Sequence, residues 1–228
     1  FVADNLAPLV GTVFGPSATP HGADILVAAW AFAFQIYGDF AGYSNIARGI
    51  SKLMGIELNV NFLFPYFVIS PQAFWRNWHI SLSTWLRDYL YISLGGNRGG
   101  SWKTHRNLMI TMALGGLWHG AAWTFVVWGV YQGLVLVVAR VIGRWAARAG
   151  IVIREGLNLP RVALGLLMFH VTCYGWLIFR ADSMQQLATF TRLLFTQFQP
   201  TLATLDSLLI PMLQIVAPLM IVHAYQAR

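Results

Sequence analysis

Apolar and polar positions along the chain fall into long blocks. Residues 25–38, "ILVAAWAFAFQIYG", are apolar, and the run continues past Asp39 to Ile46 before Arg48 and Lys52 close it. Together these positions cover the roughly 20 residues needed to cross hydrocarbon. The stretch 60–70, "VNFLFPYFVIS", is too short to cross and contains Pro65, which predicts an interfacial or re-entrant piece. Residues 107–139 are apolar throughout and flanked by basic residues on both sides. The block is long for one span and short for two. Either it enters and returns, with its weakest helical point between Gly115–Gly116 and Gly120, or it is one tilted helix. Residues 162–179 and 207–224 are two further candidate spans. The second holds Pro211 and Pro218, which membrane helices tolerate when neighbours satisfy the freed carbonyls.

Residues 72–94, "QAFWRNWHISLSTWLRDYLYISL", carry a different pattern, mixing tryptophans with charges. At helical spacing Arg76, His79, Ser83 and Arg87 fall within an arc of about 80°. Trp75, Trp78, Leu82 and Trp85 share the adjoining apolar side, and Asp88 points away from the polar arc. The pattern predicts an amphipathic helix at an interface or lining a polar cavity. The loop "GGNRGGSWKTHR" then breaks it. These patterns predict about five membrane-embedded segments, near 25–46, 72–94 (amphipathic), 107–139, 162–179 and 207–224. No repeat or low-complexity linker interrupts them. We therefore expect an all-α, polytopic helical membrane protein forming a single membrane-embedded domain over 1–228.

Composition agrees. Hydrophobic residues make up 57% of the 228 and charged residues 10%, against about 25% charged in a soluble domain. The net charge of +7 does not point to nucleic acid, because the basic residues form no stripe interleaved with stacking aromatics. They cluster between apolar runs: Arg48 and Lys52; Arg98, Lys103 and Arg106; and Arg140, Arg144, Arg148, Arg154 and Arg161. Cytoplasmic loops under the positive-inside rule look like this. The single Cys173 excludes a zinc–cysteine site. Among the six histidines no HxxxH or HxxE spacing appears, so no metal site is expected.

His119 is the leading candidate for chemistry. It lies in "GGLWHGAAWTF", an ionisable ring within an apolar run. Such residues are rare in membrane segments and usually face the protein interior. A neutral imidazole can take a proton from a hydroxyl, and the flanking glycines leave a substrate close access. A structural histidine bonded to a backbone carbonyl is the alternative. His79 reads either as an acid/base or orienting partner or as part of a solvated headgroup-level face. Asp39 reads as a carboxylate orienting a histidine or arginine, or as an ion pair or cap. His170 reads as a core residue.

Four tracts, "FQIYGDFAGYSNIARG" (34–49), "FWRNWHISLSTWLRDYLYISLGGNR" (74–98), "GGLWHGAAWTFVVWGVYQG" (115–133) and "GWLIFRADSMQQLA" (175–188), together resemble the membrane-bound O-acyltransferase family. The resemblance is strongest to its bacterial alginate O-acetylase branch and runs from about residue 30 to 195. The chain starts at Phe1 without a leader, and the resemblance implies the C-terminal half of a longer enzyme. It also implies amphipathic and re-entrant helices around a polar tunnel, with His119 of the WHG motif and His79 of the RxWHxSLS tract as catalytic positions. Arg76, Arg87, Asp39 and Trp118 become candidate substrate-binding residues. No bound cofactor is implied, and acetyl-CoA is the expected acyl donor. The remaining expectations are a polysaccharide acceptor, a periplasmic SGNH-type partner, membrane lipids around the chain, and a multi-pass position in a bacterial inner membrane.

On that reading His119 is a general base or a transient acyl carrier in a site where water cannot hydrolyse the ester. His79, Arg76 and Arg87 would orient the donor or stabilise the oxyanion, and the basic loops would attract the donor's phosphates. A transporter or channel subunit, with His119, Asp39 and Arg76 lining a proton or solute path, is the competing expectation.

Overall fold

The computed structural model describes residues 1–151, 153, 155, 156 and 158–226; Arg154 of the basic cluster lies outside them. Helices and connecting turns account for the chain, with no β-strand among the described residues. Four helical stretches are long and apolar enough to cross a membrane: Gly22–Leu53, Trp123–Arg148, Leu159–Arg180 and Thr204–His223. The protein is a multi-pass, all-α membrane protein. Its residues fall into two compact units, one formed by Phe1–Glu57 with Trp176–Arg228 and the other by Leu58–Gly175.

In the first unit, α1 (Val2–Phe14) packs against the long α2 (Gly22–Leu53). Asp24 anchors the start of α2. One carboxylate oxygen accepts the His21 backbone N–H at 2.9 Å, and the other accepts the Thr204 hydroxyl at 2.5 Å. Gly22 lies against the Leu193 carbonyl of α8 (Met184–Thr196), where an added Cβ would sit 2.5 Å away. Phe14 and Phe190 meet edge to face at 5.2 Å, and Tyr37 hydrogen-bonds to His223 at 3.1 Å. The last span opens with a π-helical turn, Thr204–Leu209, that continues into α9 (Ile210–Gln226).

The second unit carries the candidate chemistry. Residues 72–94 are not one helix. α3 (Pro71–Asn77) starts at Ser70, whose hydroxyl accepts from the Ala73 N–H at 3.2 Å, with Pro71 in the first turn. The chain then breaks at Trp78 and His79, resumes as α4 (Ile80–Trp85), and widens into a π-helical turn, Leu86–Tyr91. Gly95, Gly96, Gly99 and Gly100 all have positive φ in the loop that follows. Asn107, fully buried, donates to the Gly96 carbonyl at 3.0 Å and ties that loop to the next helix.

The apolar block 107–139 enters and returns: α5 (Ser101–His119) ends at His119 and α6 (Trp123–Arg148) begins four residues later. The turn falls at Gly120, the end of the weak helical point seen in the sequence. The two helices approach through glycines. A Cβ on Gly116 would meet the Phe125 carbonyl and come within 2.9 Å of the Gly129 Cα; one on Gly133 would sit 2.9 Å from the Met109 sulfur. Membrane helices pack closely where small residues let backbones approach. Gly116→Ala therefore forces a backbone shift, with an expected cost at or above the roughly 1–3 kcal/mol of ordinary overpacking. The thermal midpoint in detergent should fall by several degrees. Gly143→Ala, on the same hairpin with open space around it, should leave the midpoint unchanged or raise it.

α7 (Leu159–Arg180) begins in this unit and ends in the first. Within the second unit the Tyr131 hydroxyl of α6 donates to the Val171 carbonyl of α7 at 2.7 Å.

Candidate functional site

The break between α3 and α4 places His79. Trp78 is extended and His79 is left-handed, with φ 43° and ψ 55°. A bulky residue in that region costs on the order of 1–2 kcal/mol and persists only where surroundings enforce it. Here the enforcement comes from Asn61. Its backbone carbonyl accepts the Ile80 N–H at 3.0 Å and its side-chain oxygen accepts the Ser81 N–H at 3.1 Å. Those N–H groups open α4 and need an outside acceptor. The Ser83 hydroxyl donates to the Trp78 carbonyl at 3.0 Å, and the Leu63 N–H donates to the Asn77 carbonyl at 3.0 Å. The backbone on both sides of His79 is thus held by residues 61–63 and by Ser83, and the imidazole is not used as the cap.

The break also turns His79 off the polar arc that a continuous helix would give it. Arg76, Ser83 and Arg87 line one cavity, of about 450 Å³. His79 lines another of about 330 Å³, with Ser81, Leu82, Trp85 and Trp118. The Ser81 hydroxyl lies 3.5 Å from Nδ1, too long for a strong hydrogen bond.

His119 arrives from the C-terminus of α5. Gly120 follows it because the chain turns under the Phe125 ring, where an added Cβ would sit 2.7 Å from ring carbon. The imidazole is half-buried among aromatic edges: Trp118 at 5.0 Å, Trp128 at 5.1 Å and nearly perpendicular, and Phe125 at 6.3 Å. Trp128 continues to Trp75 at 6.0 Å.

Trp118 links the two histidines, lining the His79 cavity and meeting the His119 ring at 5.0 Å. Burial, and then the nearby His119, hold the His79 pKa down to about 4. His79 is neutral near pH 7, with one ring nitrogen able to accept a proton. A charge on His119 would oppose a charge on His79.

The other expected site residues distribute as follows. Trp118, 62% exposed, stands between the histidines' pocket and the surroundings. Arg76 is exposed on α3 and makes no hydrogen bond or ion pair among the described residues, while Arg87 forks onto Asp88 at 2.6 and 3.1 Å. Asp88 does not line the cavity that holds Arg76, Ser83 and Arg87, although it pairs with the neighbouring Arg87. Asp39 belongs to the first unit, exposed on α2. No group of three or more His, Cys, Asp or Glu able to hold a metal occurs among the described residues.

Two residues escaped the sequence reading. Asn61 shows in sequence only as a polar residue in the apolar stretch 60–70, and its partner lies 20 positions away. Arg140 looked like loop charge, yet it lines the cavity with Arg76 and Arg87.

Residues 23–180 match the membrane-bound O-acyltransferase family. The chain is 43% identical over 215 residues to the probable alginate O-acetylase AlgI of Azotobacter vinelandii, covering 94% of this chain and 41% of that protein. It is 36% identical over 184 residues to the peptidoglycan O-acetyltransferase of Helicobacter pylori, 81% of this chain and 34% of that one. Against the teichoic acid D-alanyltransferase of Bacillus subtilis identity is 28% over 166 residues, 68% of this chain and 40% of that one. The chain thus matches well under half the length of these relatives.

Proposed function

The chain belongs to the membrane-bound O-acyltransferase family, and from that membership we propose that the protein it represents transfers an acetyl group from a thioester to a glycan hydroxyl outside the cytoplasm. Acetyl-CoA is the proposed donor. The acceptor is an alginate-like exopolysaccharide or a cell-wall glycan, reached with the help of a periplasmic SGNH-type partner, and the location is the bacterial inner membrane.

One observation carries the reading: His79 and His119 come from tracts 40 positions apart in sequence, yet Trp118 joins them, lining the His79 cavity and meeting the His119 ring at 5.0 Å. A neutral imidazole at position 79 near a second at position 119 suits acyl transfer. One ring accepts the hydroxyl proton as the acceptor oxygen attacks the thioester carbonyl. The C–O bond forms, the C–S bond breaks, and the proton passes to the departing thiolate. The aromatic edges of Trp118, Phe125 and Trp128 limit water around the reacting ring. Should His119 carry the acetyl itself, His79 would serve as the base for the second step. A solute path needs no such pair of histidine motifs, and nothing in the site favours the transporter reading.

The test is made in cells. Deleting the gene should lower ester-linked acetate on the exopolysaccharide or the cell wall at least tenfold, and a full-length copy should restore it. Unchanged ester content in the deletion strain would overturn the proposal.

A further inference from the structure

The first unit holds a cavity of its own, of about 520 Å³, within the range of small-molecule sites. The turn before α2 gives it Thr19 and His21, the first turn of α2 gives it Asp24, and the segment opening the last span gives it Thr201 and Ser207. Buried Val13 of α1 and Leu208 of the π-turn form an apolar side. No lysine or arginine lines it among the described residues.

The cavity faces away from the cytoplasm on two counts. α2 begins beside it and ends at Arg48 and Lys52. α7 starts within the basic cluster that runs from Arg140 to Arg161 and ends at Arg180, which Asp182 pairs at 2.9 Å. α8 and Gln197 follow, and the Gln197 carbonyl accepts the Gly22 N–H at 3.0 Å. Basic residues mark the cytoplasmic end of a span. The start of α2 and the end of α7, which meet here, are therefore both outer ends.

The hydrogen-bonding capacity of the cavity is only partly used. The Asp24 carboxylate accepts the His21 backbone N–H and the Thr204 hydroxyl, which leaves about half of its lone-pair positions open. It forms no ion pair among the described residues. The hydroxyls of Thr19 and Ser207 make no hydrogen bond among the described residues. An anionic ligand finds no counter-charge here and meets Asp24 instead. A divalent cation needs a larger set of oxygen ligands than one carboxylate, and no group of three or more His, Cys, Asp or Glu lies here among the described residues. A sugar ring answers both sides of the cavity. Its hydroxyls donate to a carboxylate in charge-assisted bonds, and its C–H face removes apolar side chains from water.

We propose that this cavity is a subsite for one uncharged sugar ring of a glycan outside the cytoplasm, its hydroxyls bound by Asp24, Thr19 and Ser207. Identifying that glycan with the acetyl acceptor rests on the acyltransferase reading, and it favours a cell-wall glycan of N-acetylated sugars over a uronate polymer. The sugar subsite itself does not rest on that reading.

The test uses the full-length protein in phosphatidylcholine vesicles, with calorimetry as the readout and chitotetraose, an uncharged oligomer of N-acetylglucosamine, as the probe. Wild type should bind it saturably, and should bind tetramannuronate roughly tenfold more weakly or worse. Asp24→Asn keeps an oxygen for the helix cap and loses the charge, so chitotetraose binding should weaken roughly tenfold. Ser207→Trp fills the cavity and should abolish binding. Gln185→Trp, exposed on α8 and outside the cavity, should leave it within about twofold of wild type, a change of only a few tenths of a kcal/mol. Ser207 is exposed, so its variant folds even if the Asp24 variant does not. Absence of saturable chitotetraose binding, or binding that Ser207→Trp leaves intact, overturns the subsite. Tetramannuronate bound as tightly as chitotetraose overturns the uncharged ring as its occupant. Unchanged ester acetate in the deletion strain would overturn the acyltransferase reading and leave the subsite standing.

Discussion

Replacing His119 with phenylalanine in the full-length protein is expected to cut acetyl transfer by about 10³-fold, the middle of the range for a lost general acid–base group. Phenylalanine separates chemistry from packing. The His119 ring is wedged between Trp118, Trp128 and Phe125, so alanine would remove both the nitrogens and the volume. An aromatic replacement keeps the contacts and deletes only the proton acceptor. If the ring were structural, phenylalanine would restore most of the activity that alanine loses. The thermal midpoint should fall for His119→Ala and stay near wild type for His119→Phe, with both equally inactive. Activity of the phenylalanine variant within tenfold of wild type would end the catalytic role of position 119. A second readout identifies the chemistry. Wild type incubated with labelled acetyl donor and no acceptor retains label on His119 if the ring carries the acetyl, and retains none if it acts as a base.

Much of the architecture was readable because lipid imposes a simple rule: a crossing helix must be apolar over about 20 residues. The runs that became α2, α6, α7 and the last span stood out for that reason. The return of the 107–139 block at Gly120 was one of two open readings. What decides it is the close approach of Gly116 and Gly129 across the hairpin, a contact no local pattern reveals. The break at His79 was hidden altogether. Neither Trp78 nor His79 is a helix breaker, and the helical period runs through them undisturbed. The conformation is set by hydrogen bonds from Asn61, 18 residues upstream of His79. A periodicity argument therefore put His79 on the face of Arg76 and Arg87, and the fold puts it in a different pocket. The family resemblance pointed to His79 and His119 together. Their proximity is a property of the fold that joins α5 to the α3–α4 break.

Substitutions at position 79 should separate stability from activity. His79 is left-handed at φ 43°, where glycine pays no Cβ penalty and asparagine pays less than most residues. His79→Gly is expected to match wild-type stability or exceed it, because relief of strain of roughly 1–2 kcal/mol offsets the lost ring contact with Phe62 at 6.5 Å. His79→Ala keeps the Cβ and loses the ring, so it should sit about 1 kcal/mol below His79→Gly. All three variants, with His79→Asn, should lose about 10²- to 10⁴-fold in transfer. The pH dependence adds a signature. The His79 pKa is about 4 in the fold and near 6.5 in an unfolded chain. Between these values the unfolded chain binds a proton that the folded one does not, so stability falls as pH drops. This loss is absent above pH 6.5, grows as pH falls through it, and levels off below about 4. His79→Gly removes that group, so its midpoint relative to wild type should rise steadily from pH 7 to pH 5. A constant difference across that range, or a glycine variant less stable than the alanine one, would show that Asn61 does not hold His79 in a strained, uncharged state.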